Sequence, residues 1–86
     1  MIKIQEHRLF KKYIYKLSAK QRVLFIQRLE ILKTNPKHPL LKIHRLKGKL
    51  NFFYAFSLGG DLRVRFKWID KNTIRLYKIG THNQVY

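Results

Sequence analysis

Three basic residues alternate with apolar ones along one segment of the chain, at Arg63, Arg65 and Lys67. In a β-strand, alternate side chains share a face and lie ~7 Å apart, close to the repeat of phosphates along a nucleic-acid strand. The planar arginine fork binds phosphate oxygens and offsets the charge that develops during phosphoryl transfer. The solvated outer face of any half-buried sheet alternates in the same way. The row therefore predicts either a phosphate contact or an ordinary polar face.

A second set of residues with possible chemistry closes the chain, where His82 and Tyr86 follow Gly80 and Thr81. Imidazole both accepts and donates a proton near neutral pH, so a histidine here could act in acid–base catalysis, with the tyrosine as a second proton-transfer group. A histidine in a terminal segment is also often only a polar side chain. Residue type alone leaves both interpretations open.

A dense positive patch lies between residues 39 and 49. Its members are Lys42, His44, Arg45, Lys47 and Lys49. His44 could contact RNA. Among the aromatic residues, most should form the core of so small a domain, whereas Tyr54 could instead stack on a base.

Metal chemistry has little support in the residue types present. The four histidines show no HExxH or comparable ligand spacing, and there is no cysteine. The four acidic residues are too scattered for paired carboxylates or a magnesium-dependent nuclease site. If the protein is a nuclease, the sequence predicts one that needs neither a metal ion nor another cofactor.

Net charge narrows the class of partner. Twenty Lys and Arg face four acids, giving a formal charge of +16 in 86 residues. A polyanionic partner explains such an excess, with nucleic acid ahead of an anionic membrane surface or an acidic protein; a merely solvated basic surface is the plainer alternative. We find no apolar stretch near the ~18–20 residues of a membrane span and no secretory pattern at the start, so we expect a cytoplasmic protein.

The elements that must position these residues follow from periodicity. Residues 1–5 alternate as a short strand, and residues 6–17 have helical spacing. Ser18 and Gln21 form a capping-box pattern for a second helix that ends at Asn35-Pro36. In that helix we expect an apolar face and an outward polar face. The apolar face contains Val23, Phe25, Ile26, Leu29 and Leu32; the polar face contains Arg22, Gln27, Arg28 and Lys33.

The second half of the chain has the pattern of strands and tight turns. Residues 51–58, 62–69 and 73–80 are β-prone, separated by turns at residues 59–61 and 70–72. In the middle strand Leu62, Val64, Phe66 and Trp68 share one face. Residues 39–49 could be an irregular loop or a short strand. The sequence predicts one α+β domain over 1–86, a β-α-α-β-β-β chain in which a strand and helical hairpin pack on a small antiparallel sheet.

Three segments together resemble the RelE/ParE superfamily, most closely its YafQ-like ribonucleases. They are "LKG" at residues 46–48, "DLRVRF" at residues 61–66 and the terminal "IGTHNQVY". The resemblance covers residues 38–86, and the two-helix start agrees in order and length. It implies a RelE-like fold and the toxin of a type II toxin–antitoxin system. Such a toxin cuts mRNA on the ribosome without a metal, through attack by the substrate's own 2′-hydroxyl, and is neutralised by an acidic antitoxin.

The resemblance also implies roles for individual residues. His82 falls on the catalytic histidine, Arg63 on the arginine that steadies the phosphate, and Tyr86 on the terminal aromatic residue. Asp61 matches an acid that some relatives use, although beside Gly60 it could be only a turn residue. Binding of RNA is expected from a wider set: Arg65, Lys67, His44, Arg45, Lys47, Lys49 and Tyr54.

Two other functions fit the same sequence. One is a non-enzymatic toxin of the ParE kind, which inhibits DNA gyrase by binding; the terminal His82 and Tyr86 argue against it, because a pure binder needs no proton-transfer groups. The other is a plain RNA-binding module in which the basic surface is the whole function. Cleavage of RNA, or its absence, separates the three.

Overall fold

The computed structural model describes all residues from Met1 to Tyr86 and contains five strands and three α-helices. In chain order the elements are β1 (Lys3–Glu6), α1 (Lys11–Tyr15), α2 (Ala19–Thr34), β2 (His44–Arg45), β3 (Tyr54–Gly59), β4 (Leu62–Asp70), β5 (Thr73–Gly80) and α3 (His82–Val85). Two short 3₁₀ helices, Pro39–Leu41 and Gly48–Leu50, flank β2. None of the helices has the length and apolar character needed to cross a bilayer.

The sheet has the order β1-β5-β4-β3-β2. Strands β2 to β5 pair antiparallel, as the predicted meander requires, and the α+β class is confirmed. The expectation of an entirely antiparallel sheet is wrong at one edge, because β1 pairs parallel to β5 with Lys3 opposite Thr73. The helical hairpin and the meander separate these two strands in sequence, so no tight turn constrains their direction.

Helix α2 begins and ends where the sequence predicts. The Ser18 hydroxyl accepts from the Gln21 amide at 3.1 Å, and the Gln21 side chain accepts from the Ser18 amide at 2.9 Å. The first helix is much shorter than the predicted residues 6–17. Glu6 belongs to β1, and the His7 amide donates to the Leu76 carbonyl at 2.9 Å. The first residues of the predicted helix therefore pair with β5 of the sheet.

The main core lies between the helical hairpin and one face of the sheet, here called the inner face. Val64 and Phe66 of β4 are fully buried there, with Leu62 and Trp68 packed against the same cluster, which confirms the predicted shared face. The prediction that Val23 and Ile26 are buried is wrong: they are 54% and 60% exposed. The residues of α2 that pack against the core are Phe25, Leu29, Ile31 and Leu32, a stripe with helical spacing.

The opposite, outer face of the sheet is covered only in part. Leu46, Ala55 and Val85 form a small second cluster there, so α3 packs across β4 and β5 and its Val85 reaches Ala55 of β3. The predicted β-α-α-β-β-β order omits both α3 and a definite β2. These elements have four and two residues, too few for periodicity to reveal. Residues 39–49, predicted as an irregular loop or a short strand, contain the short strand β2 with a 3₁₀ turn on each side.

Candidate active site

The C-terminal residues form a helix with its own caps. Thr81 begins α3 with a capping box, in which the Gln84 side chain accepts from the Thr81 amide at 2.8 Å. The carboxylate of Asp61, in the turn between β3 and β4, accepts from the His82 amide at 3.3 Å. Asp61 therefore ties the first turn of α3 to the sheet, and its carboxylate lies at the backbone of the predicted catalytic histidine.

Two histidines far apart in sequence meet at Tyr86. The Tyr86 hydroxyl hydrogen-bonds to Nε2 of His44, and the two rings meet edge to face with centroids 5.2 Å apart. On the other side the His82 ring lies 4.1 Å from the Tyr86 ring, centroid to centroid. His44 is held by β2, whose pairing with Ala55 fixes it on the outer face, and its Nδ1 lies 3.0 Å from the Lys42 carbonyl. We call His44, Tyr86 and His82 the histidine–tyrosine cluster.

Arg63 supplies positive charge next to this cluster. Partial burial raises the pKa of Tyr86 above its ordinary value, and the positive charge of Arg63 opposes that rise. Tyr86 therefore keeps its proton throughout the neutral pH range. A protonated phenol beside an imidazole can donate a hydrogen bond or a proton, while the nearby guanidinium attracts an anion.

The arginines of β4 carry donors that no protein group satisfies. Nε of Arg63 and Nε of Arg65 are both buried without a hydrogen-bond partner. Buried polar groups nearly always have a hydrogen-bond partner, because an unpaired group loses its hydrogen bonds to water and gains none within the protein. These two atoms are closed to solvent, so the anion-binding character of the outer face at β4 comes from the positive charge of the two guanidinium groups.

Arg65 and Lys67 continue the row away from the cluster. Both cations lie over the ring of Phe53, Arg65 at 4.7 Å and Lys67 at 4.6 Å from the centroid. Arg65 also donates to the carbonyl of Val85 at 3.2 Å, so it holds the end of α3. Burial lowers the pKa of Arg65 from its ordinary value; with an ordinary value above about 12, the group remains charged.

The remaining predicted RNA-binding residues are not part of the cluster itself. Tyr54 is on the inner side of the sheet, where its ring stacks on that of the core residue Phe66 at 5.8 Å. Arg45 donates from Nε to the Asn51 carbonyl at 2.6 Å, and Lys47 and Lys49 are exposed on the following 3₁₀ segment. The structure thus brings His82, Tyr86 and Arg63 together, adds His44 to them, and separates Tyr54 from the group.

Two features of the site are absent from the sequence-based expectation. His44 was expected only as an RNA contact, whereas it is the direct partner of the Tyr86 hydroxyl. Phe53 was not singled out from the aromatic residues expected to form the core, yet its ring supports Arg65 and Lys67 on the outer face. The sequence feature that could have indicated a role for His44 is its position just before the "LKG" segment. For Phe53 that feature is the strand alternation, which places residues 53 and 55 on one face.

The surface also contains clefts that do not belong to the cluster. A cavity of about 550 Å³ opens between the helical hairpin and α3, with Tyr13, Lys78 and Asn83 in its lining. Neither His82 nor Tyr86 lines it. No three side chains of the His, Asp or Glu type lie together as a metal site would require.

Comparison with known proteins yields matches in three dimensions only. No protein-family model and no curated protein matches the sequence. Among solved structures, YafQ from E. coli strain BL21(DE3) superposes with a TM-score of 0.76 at 17% identity, over 100% of this chain and 99% of that one. A metal-bound toxin from Helicobacter pylori gives a TM-score of 0.72 at 29% identity, over the whole of both chains.

A third match is the heterotetrameric YoeB–YefM toxin–antitoxin complex from Staphylococcus aureus. It has a TM-score of 0.72 at 19% identity, over 95% of this chain and 98% of that one. The chain has the RelE/ParE toxin fold. The histidine–tyrosine cluster lies on the outer face of this RelE/ParE fold, opposite the helical hairpin, where α3 crosses the sheet.

Proposed function

We propose that this protein is the toxin of a type II toxin–antitoxin system and that it acts as a metal-independent, ribosome-dependent mRNA endonuclease. The observation that carries the proposal is the convergence of His44, Tyr86 and His82 beside Arg63, on a face that also bears the cations of Arg65 and Lys67. Proton-transfer groups and phosphate-binding cations are the two requirements of RNA cleavage by the 2′-hydroxyl. Dependence on the ribosome rests on the sequence resemblance.

The reaction needs two proton transfers. A base removes the proton of the substrate's 2′-hydroxyl while its oxygen forms a bond to the adjacent phosphorus. The bond from phosphorus to the 5′-oxygen breaks, and an acid donates a proton to that oxygen. The products are a 2′,3′-cyclic phosphate and a 5′-hydroxyl, so no water, metal or other co-reactant enters the step.

The cluster contains a group for each task. His44 and His82 lie on either side of Tyr86, and imidazoles serve as both base and acid near neutral pH. Tyr86, protonated because burial raises its pKa, donates a hydrogen bond and keeps the two histidines in register. Arg63 neutralises the charge that accumulates on the phosphate oxygens.

The partners follow from charge and from relatives of the same fold. A chain with a formal charge of +16 that cleaves mRNA would harm the cell that makes it. An acidic antitoxin that covers the basic face would neutralise both the charge and the activity, and charge complementarity would speed its association. The YoeB toxin of the Staphylococcus aureus structure is in a heterotetrameric complex with its antitoxin YefM.

The test is induced expression with growth followed in parallel with primer extension on a reporter mRNA. We compare the parent with His82→Ala and Arg63→Ala, and use His38→Asn as the matched control. His38 lies outside the cluster, and its ring accepts from the Leu40 amide at 3.1 Å, a bond that asparagine can replace. We expect arrest and new 5′ ends inside the translated frame for the parent and the control only.

Other outcomes separate the alternatives. Arrest without cleavage would replace this proposal by a non-enzymatic toxin of the gyrase-inhibiting kind. A His82→Ala or Arg63→Ala protein as toxic as the parent would remove these residues from the site. RNA binding with neither arrest nor cleavage would leave a basic RNA-binding module.

A further inference from the structure

A separate pocket of about 230 Å³ opens beside the cluster, where β2 meets the end of α3. Its lining consists of His44, Arg45, Leu46, Lys47, Leu50 and Tyr86. Two of these residues, His44 and Tyr86, belong to the histidine–tyrosine cluster. A molecule that places a phosphate at the cluster can therefore place its neighbouring group in this pocket.

The inner wall of the pocket is apolar and fixed. Leu46 is 5% exposed and belongs to the small outer cluster with Ala55 and Val85, and Leu50 packs against the same cluster. The volume lies below the roughly 300–1,000 Å³ of pockets for drug-sized ligands. Its size and apolar wall suit one flat ring system, and an unpaired nucleobase is such a group.

The polar side chains around the pocket are mainly hydrogen-bond donors. Arg45 and Lys47 are cations, the Tyr86 hydroxyl is already engaged with Nε2 of His44, and no carboxylate or carboxamide side chain is part of the lining. On the edge that faces the major groove of a duplex, guanine presents only the acceptors O6 and N7 and uracil presents O4, whereas adenine and cytosine present an amino group that needs an acceptor. The lining favours a base with a carbonyl edge.

We infer that this pocket binds one unpaired guanine or uracil base of the RNA, from a nucleotide next to the phosphate that is cleaved. The pocket then determines the sequence preference of the enzyme. This inference rests on the proposed function, because it identifies RNA as the ligand. The features that support it are the position of the pocket, its wall of Leu46 and Leu50, and its hydrogen-bond donors.

Binding is tested with trinucleotides that carry 2′-O-methyl groups throughout and differ only in the central base. These probes cannot be cleaved, because the attacking hydroxyl is blocked, so binding is measured apart from catalysis. We expect guanine or uracil probes to bind about five- to tenfold more tightly than adenine or cytosine probes. We also expect their binding to shift the methyl NMR signals of Leu46 and Leu50, while those of Leu40, half exposed on another turn, stay in place.

A variant isolates the pocket from the rest of the surface. Leu50→Trp fills the space, and the matched control Ile26→Trp adds the same ring on the exposed face of α2. Leu50→Trp should abolish the base preference of the trinucleotides and flatten that of the cleavage sites in reporter mRNA. Ile26→Trp should leave both preferences as in the parent.

The outcomes distinguish the two proposals. Base-dependent binding and leucine shifts in a protein that cuts no mRNA would preserve the pocket and overturn the nuclease. Cleavage by a parent protein whose Leu46 and Leu50 signals do not move, or that binds all four probes equally, would preserve the nuclease and overturn the pocket. The methyl shifts are measured on the unaltered chain, so misfolding of Leu50→Trp cannot decide the question.

Discussion

At the scale of single residues, the proposed chemistry assigns a role to one hydroxyl group, that of Tyr86. Tyr86 joins His44 through its O–H and His82 through its ring, so the two contacts are chemically separable. Phenylalanine would retain the ring contact and lose the hydrogen bond. The position therefore offers a way to measure the hydroxyl without removing the side chain that separates the histidines.

We predict that Tyr86→Phe lowers the rate of mRNA cleavage by about 10²-fold, at the low end of what a proton-transfer group contributes. The loss should appear in kcat on ribosomes programmed with a reporter mRNA, with KM little changed, because no phosphate contact is removed. A rate equal to that of the parent would show that the hydroxyl has no part in the reaction and that only the ring matters.

Tyr86→Phe should also change how the free energy of unfolding depends on pH. Burial raises the pKa of Tyr86 in the folded chain above its unfolded value of about 10. The stability tied to the protonated phenol is thus complete below pH ~10 and is lost as pH rises from there through the folded pKa. Denaturant unfolding should show the parent losing more stability than Tyr86→Phe in that range; parallel curves would contradict the raised pKa.

At the scale of elements, α3 positions half of the cluster although it has only four residues. Three contacts hold it: its capping box, the Asp61 carboxylate at the His82 amide, and Arg65 at the Val85 carbonyl. An isolated helix of this length would not form in water, because the conformational entropy lost in forming the first turn outweighs the stabilisation by its hydrogen bonds. The geometry of His82 and Tyr86 therefore depends on the sheet beneath.

We predict that Gly80→Ala displaces α3. A Cβ at position 80 would lie 2.6 Å from the Gln84 side-chain oxygen and 2.9 Å from the Gln84 Cβ, so the helix itself must move. A displacement near 1 Å at catalytic groups costs up to about 10²-fold in rate. Cleavage assays together with amide hydrogen exchange of residues 82–86 would measure both effects.

The control for this prediction is Gln84→Ala. It removes the capping interaction, at a cost of about 1 kcal/mol in stability, but adds no atom next to Gly80. Faster exchange in α3 with a smaller loss of rate is expected. If Gly80→Ala retained parental activity and exchange, α3 would not need its close approach to β5.

At the scale of the whole molecule, the excess of positive charge is divided between two faces of different kinds. The outer face has Arg63, Arg65 and Lys67 in a row supported by an aromatic ring, whereas cations of α2 lie on the helix side. Lys33 of α2 is already paired with Glu30 at 3.3 Å. RNA that binds on the outer face should release counterions only there.

We predict a difference in the salt dependence of binding to single-stranded RNA. Each phosphate contact contributes about −0.7 to the slope of log affinity against log salt. Lys67→Gln should make that slope shallower by about 0.7, while Lys33→Gln, an identical change of charge on the other side, should leave it unaltered. Equal effects would indicate diffuse attraction by net charge rather than a track along β4.

How much of this could be predicted from sequence depends on the length of each signal. The capping box at Ser18 and the alternation of β4 are local patterns, repeated over enough residues to specify α2 and the central strands. The first helix was predicted too long, because residues 6–10 have helical spacing but Glu6 and His7 pair with β5 and the Phe10 amide closes a turn on the His7 carbonyl. The spacing of apolar residues carries no information about a hydrogen bond to a strand that is distant in sequence.

The sequence by itself determined the α+β fold, predicted a polyanionic partner, and provided His82, Arg63 and Tyr86 as candidate site residues. Composition, period and short motifs carry that information locally. Only the tertiary structure decided that His44 joins the cluster, that Tyr54 does not, and that Arg65 holds α3. These contacts join residues 42, 12 and 20 positions apart, and the pairing of strands across the sheet, which no local pattern encodes, decides which of them form.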